Sequence, residues 1–133
     1  MSGIHSHPFR YFDRLVERGR DHCTVLKLVS GDETLLDGRG GSRRPYPAAL
    51  VVEALAQAAL PLAGGGAGDE SPPGLLVGMD EVRVHRDVWP GERLLIRAEI
   101  VGRLGGMIRV RSEAEVEGVL VAEGELTINA GRD

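Results

Sequence analysis

The sequence predicts an α+β fold in which an antiparallel sheet curls around one buried helix. Three observations carry that reading. Residues 45–62, PYPAALVVEALAQAALPL, are a continuous apolar run whose Ala, Leu, Glu and Gln content suits a helix. Residues 75–129 hold four segments of alternating hydrophobicity separated by turn signals, as expected of antiparallel strands with one buried and one solvated face. Finally, a sheet with one apolar face must cover that face, and the 45–62 helix is the segment with enough apolar surface to do so. A sheet of this kind leaves an edge open to a second subunit, so a dimer is expected.

Composition narrows the function classes. At 133 residues the chain is long enough for a real core and is read as one domain, 1–133. A hydrophobic fraction of 42% with 27% charged residues is that of an ordinary soluble domain. The net charge of −4 gives no nucleic-acid footprint. The single cysteine, Cys23, excludes an intrachain disulfide framework and fits a reducing compartment. No segment is long enough to span a membrane and no targeting segment is visible, so a cytoplasmic protein is expected.

Taken from the N-terminus, residues 1–8 are a loose lead-in. His5 and His7 lie two apart but have no Cys or acidic cluster beside them, so no metal site is expected. Residues 9–16, FRYFDRLV, are amphipathic and fit either a short helix or a strand; Arg18–Asp21 is turn-like, and the β-branched 22–29 segment reads as a strand that pairs with it. Residues 31–44, GDETLLDGRGGSRR, are a loop. Its glycines and arginines resemble a phosphate cradle in composition only, because no Lys-Ser/Thr follows; a solvated surface loop is the other reading.

The helix opens on Pro45 and Pro47, which are tolerated in a first turn, and is stopped by Pro61 and the Gly64–Gly66 run. Nearly every position from 48 to 60 is apolar, so burial all round is expected. Glu53 and Gln57 alone interrupt that surface, four residues apart and on one side. A buried carboxylate needs a partner or a proton, so this pair is the first candidate for chemistry.

After a Gly-rich connector at 64–74 come strands at 75–85, 93–101, 108–116 and 119–129, read as a meander, with turns at Trp89-Pro90-Gly91-Glu92, Gly105-Gly106 and Glu117-Gly118. Leu94, Ile96, Ala98 and Ile100 share one face, as do Ile108, Val110, Ser112, Ala114 and Val116. Met79 and Phe12 read as core or tunnel wall, and Trp89 as packing at a sheet edge. Cys23 has no base beside it and is no nucleophile candidate.

One helix wrapped by an antiparallel sheet is the hot-dog fold, and the motifs go further. His7-Pro8-Phe9 through Phe12-Asp13-Arg14-Leu15, the run from Tyr46 to Ala58 with EALAQ at its centre, and Gly78-Met79-Asp80-Glu81-Val82-Arg83 through Val88-Trp89-Pro90-Gly91-Glu92 carry the likeness. The chain resembles, over nearly its whole length, the β-hydroxyacyl-acyl-carrier-protein dehydratases, in the branch with a glutamate in the central helix. The resemblance implies dehydration of a (3R)-hydroxyacyl thioester with no cofactor, the acyl chain being delivered on the phosphopantetheine of an acyl carrier protein. It implies a His base, a Glu assisting departure of the 3-hydroxyl, and a backbone N–H at the helix start polarising the thioester carbonyl. The His and Glu come from opposite subunits of a dimer.

Carried over residue by residue, Glu53 matches the family glutamate and Gln57 its neighbouring glutamine, while Ala48 stands where the family has Gly. Pro47, Ala48, Ala49 and Met79 fall at substrate-lining positions. The departure is in the loop. The family pattern GHFPG places its His fourteen residues before the Glu, where this chain has Arg39, and Gly40-Gly41 replace the Phe-Pro that follows. Arginine stays protonated and cannot act as the base. His5, His7, His22 and His85 all lie outside the loop.

Three readings follow. The chain is a half-site subunit that contributes Glu53 to a site whose His comes from a paralogous partner, in fatty-acid or polyene-type biosynthesis. Alternatively it acts alone with altered chemistry, as hot-dog thioesterases do with an acidic residue, for which Asp37 is the candidate. Or it is a non-catalytic subunit that binds an acyl chain or carrier protein. Arg39, Arg43 and Arg44 are candidate contacts to an acidic carrier protein, with a solvated loop as the alternative.

Overall fold

The computed structural model describes residues 13–29, 44–63 and 74–130. In order these form β1 (Arg14–Arg18), β2 (His22–Leu28), α1 (Ala48–Ala59) with a 3-10 turn (Leu60–Ala63), β3 (Leu75–Val84), β4 (Arg93–Leu104), β5 (Met107–Val116) and β6 (Val119–Asn129). The strands make one antiparallel sheet in the order β1-β2-β4-β5-β6-β3, with α1 on its concave face. The described part of the ambiguous 9–16 segment is a strand, not a helix.

The strands fall where alternation places them, but their order corrects the expected four-strand meander. β3 does not neighbour β4; it lies at the far edge beside β6, and the meander is β4-β5-β6. The connection between β3 and β4 is pinned to the other end of the sheet. Val29 N–H donates to Glu92 O at 2.9 Å, Gly91 N–H donates to Val29 O at 2.8 Å, and Val88 bridges Tyr46. Those bonds start β4 beside β2. Gly91 has φ of 95°, the left-handed value a Pro-Gly turn needs at that position.

The helix is shorter than the apolar run. Pro47 is its N-cap, which leaves Pro45 outside. Pro61 has no N–H to reach back to Gln57 O, and Leu60 N–H takes that carbonyl instead, three residues back rather than four. The last turn therefore tightens into 3-10 geometry. Burial all round is also corrected. Val51, Ala54, Leu55, Ala58 and Ala59 are buried against the sheet, whereas Ala48, Ala49 and Glu53 are exposed and Val52 and Gln57 are half-buried. The sheet covers one side of the helix, and the other side is not covered by any described strand.

The two faces of the sheet differ in kind. The concave face carries Val25, Leu94, Ile96, Val110, Leu126 and Ile128, all essentially without exposed surface. The convex face carries ion pairs across strands, Arg109 with Glu125 at 2.7 Å and Asp80 at 3.1 Å, Arg97 with Glu115 at 2.8 Å, and Arg111 with Glu123, and one along β5, Arg111 with Glu113. His85 lies 2.7 Å from Glu123, and that hydrogen bond, with Arg111 nearby, lowers the Glu123 pKa.

Candidate functional site

The start of α1 is set by its backbone. Tyr46, 4% exposed, donates its N–H to Val88 O at 2.6 Å, and Pro47 turns the chain into the helix. No side chain caps this terminus. The first N–H groups of a helix have no intrahelical acceptor, so those of Ala48 and Ala49 point out of the terminus, where the helix dipole favours negative charge.

Along the bare side of α1, Ala49, Glu53 and Gln57 follow each other at four-residue steps, about 6 Å apart along the axis. Glu53 is exposed rather than buried, and no hydrogen bond or ion pair to it is found among the described residues. The expectation of a buried carboxylate in need of a partner within the chain is thus overturned, because the sheet packs on the opposite side of the helix. The bare side carries an array of three kinds of group: backbone donors, one carboxylate and one amide. Such an array can polarise a carbonyl and move a proton.

The other sequence-derived site residues divide. Pro47, Ala48 and Ala49 lie with Glu53 on or beside the bare helix start. Met79 is 50% exposed on the outer strand β3; it is not core, because among the described residues no strand lies beyond β3. Arg44 is exposed just ahead of the helix. Arg39, Arg43, Asp37 and Phe12 lie outside the described residues. No cluster that could hold a metal exists among the described residues, and no helix there is long and apolar enough to cross a membrane.

Three side chains to which the sequence assigns no site role hold the helix from behind. Ser112 on β5 donates its hydroxyl to Leu55 O at 3.0 Å. Cys23 on β2 donates its thiol to Ala58 O at 3.1 Å, and the Arg18 guanidinium on β1 donates to Pro61 O at 2.8 Å. The last two satisfy carbonyls at the helix C-terminal end, which lack intrahelical donors. Burial pushes the Cys23 thiol up to about 11, with Arg18 opposing, which leaves it inert as a nucleophile. Their sequence signal was polarity on an apolar face, most visible for Ser112 among Ile108, Val110, Ala114 and Val116.

Comparison with known proteins adds identity of another kind. No family profile matches the chain. The chain is 37% identical to a 3-hydroxyacyl-[acyl-carrier-protein] dehydratase FabZ of Lactococcus lactis over 134 residues, covering 96% of this chain and 89% of that protein. The same description and identity hold for a Streptococcus suis protein, with 96% and 91% covered. Among solved structures, the dehydratase heterocomplex ApeI:P of Xenorhabdus doucetiae superposes with a TM-score of 0.69 at 19% identity, over 92% of this chain and 83% of that one. The uncharacterised protein PH1136 of Pyrococcus horikoshii gives 0.72 at 20% identity, over 92% and 85%. Both structures share the hot-dog architecture seen here.

Proposed function

Since the chain belongs to the FabZ family of 3-hydroxyacyl-[acyl-carrier-protein] dehydratases, we propose that it is the glutamate-bearing half of a dehydratase site completed by a second subunit. The observation that carries this reading is the position of Glu53: on the bare side of α1, exposed and without a partner among the described residues. A carboxylate so placed acts on something that arrives from outside.

In the proposed reaction a base on the second subunit removes a proton from C2 of the 3-hydroxyacyl thioester. The N–H groups of Ala48 and Ala49 hold the thioester oxygen as charge develops on it. Glu53 delivers a proton to the departing 3-hydroxyl; the C3–O bond breaks, the C2–C3 double bond forms and water leaves. Gln57 supports the site one turn below Glu53, and Pro47 and Met79 line the path of the acyl chain. Arg39, Arg43 and Arg44 attract the acidic acyl carrier protein, whose phosphopantetheine brings the substrate; no further cofactor is needed. Arg39 at the family His position leaves the base to the partner, a His-bearing paralogue. A dehydratase heterocomplex exists among proteins of this fold, so unlike subunits are compatible with the architecture. Fatty-acid or polyene-type synthesis is the setting in which such pairs fit.

The test is dehydration of a 3-hydroxyacyl carrier-protein thioester by the chain alone, by an Arg39→His variant, and by the chain co-expressed with a His-bearing relative. The expected result is activity in the last two and its loss on Glu53→Ala. Activity of the unaltered chain alone overturns the half-site reading and directs attention to Asp37, including its thioesterase chemistry. Silence in all three with carrier-protein binding intact leaves a binding subunit.

A further inference from the structure

The concave face has a trench where the helix is seated. Strand pairing aligns Cys23 with Ala98, Ala98 with Ser112 and Ser112 with Gly124, so four small residues cross four adjacent strands in one row. The row on one side is Val25–Ile96–Ala114–Ala122 and on the other Ile100–Val110–Leu126, both bulkier where β4 crosses. The space at the end of the trench is closed, since a Cβ on Gly124 would come within 2.9 Å of Val82. Ser112 lies where the two hydrophobic clusters of the core meet, one holding Leu55, Ile96 and Ala114 and the other Cys23, Ala98, Val110, Leu126 and Ala59.

Ser112, with no exposed surface, is a polar group at the middle of this apolar boundary. Its acceptor, Leu55 O, is a mid-helix carbonyl that already lies within reach of the Ala59 N–H in the regular helical pattern. The bond therefore does not rescue an orphan acceptor, and desolvating the hydroxyl offsets most of what it contributes to stability. Its distinctive effect is directional. A helix on an apolar bed is free to rotate by small angles, and one short hydrogen bond from a fixed strand removes that freedom.

Glu53 is two residues before Leu55, and two residues turn the helix by about 200°, so the carboxylate projects from the side opposite the Ser112 bond. A rotation of about 20° about an axis some 5–6 Å away moves it by about 2 Å, enough to cost a reaction on the order of a hundredfold. We infer that Ser112 is the positioning residue that sets the angle of α1 on the sheet and thereby the place of Glu53. The inference rests on the reading of Glu53 as the proton donor; Cys23, at the helix end, is a structural anchor only.

The experiment compares Ser112→Ala, Ser112→Cys and Cys23→Ala in whichever assembly is active, with amide hydrogen exchange and denaturant midpoints alongside. For Ser112→Ala the expected results are a kcat at least about tenfold lower with KM changed less than about twofold, and partial recovery in Ser112→Cys, which restores a donor. Amides 53–57 exchange faster in Ser112→Ala while those of β4–β6 keep their rates. Cys23→Ala, with an equal or larger loss of midpoint, keeps kcat. Unchanged kcat or unchanged exchange at 53–57 in Ser112→Ala overturns the inference, as does an equal kcat loss in Cys23→Ala. If unaltered protein dehydrates nothing in any assembly, the failure falls on the Glu53 reading, and the exchange pattern alone decides whether Ser112 sets the helix. Should Ser112→Ala not fold, the hydroxyl is structural and the inference fails unless Ser112→Cys folds with lowered kcat.

Discussion

Leu55 and Glu53 are separated by one residue on α1, and their surroundings are opposite. Leu55 has no exposed surface, touches the sheet and lends its carbonyl to Ser112; Glu53 stands in solvent with no partner among the described residues. Apolar residues occur on both sides of the helix, but among the described residues only one set is covered by the sheet. The difference separates what folds the chain from what the chain presents to a partner. Mutations on the seated side are expected to move stability, and those on the bare side to move chemistry and assembly.

The largest effect expected is chemical. Glu53→Gln should lower dehydration by about 10²–10⁴-fold in the active assembly while leaving the urea midpoint where it was. A large drop in midpoint would show that Glu53 is held by the fold after all. Next comes Leu55→Ala, which removes a fully buried side chain and should cost about 2–5 kcal/mol in denaturant unfolding. A loss below about 1 kcal/mol would mean that the helix is not seated as described.

The seated side also predicts a pH signature. The folded state holds the Cys23 thiol neutral up to about 11, whereas the unfolded chain ionises it near the ordinary value of 9.0. Ionisation therefore favours the unfolded chain first: this contribution to stability is complete below about 9 and is lost as pH climbs toward about 11. Unfolding midpoints measured across that range should fall in the native protein and fall less in Cys23→Ala. The smallest stability effect belongs to the bare edge. Val77→Lys, at a position 48% exposed on β3, should change unfolding of the isolated chain by no more than about 0.5 kcal/mol. Light scattering should nevertheless show loss of the dimer, since a lysine on an edge strand blocks pairing. Retention of the dimer would place the partner elsewhere.

Much of this was legible beforehand because periodicity reports burial directly. The buried faces of β4 and β5 match the alternation of Leu94, Ile96 and Ala98 and of Ile108, Val110, Ala114 and Val116, with β6 at Val119–Asn129 as read. Glu53 and Gln57 were visible as polar breaks in an apolar helix. The bareness of their side was not, because Ala48, Ala49 and Val52 look the same whether a sheet of the same chain or a second subunit covers them. The place of β3 was hidden for a related reason: alternation locates a strand but not its neighbour, and bonds from Val29 decide where β4 starts. The trench at Cys23, Ala98, Ser112 and Gly124 exists only once register is known, since the first and last of these residues lie 101 positions apart in the chain.

The order of elements along the chain has a consequence for synthesis. α1 ends at Ala59, yet the strands that bury it, β4 to β6, are complete only at Asn129. At about 5–20 residues per second, a ribosome needs roughly 4–14 s to make that stretch. For those seconds the nascent chain carries an apolar helical segment with only the strands before β4 to shelter it. Truncated chains ending before β4 should accordingly be captured by chaperones or aggregate, while chains ending after β6 should not.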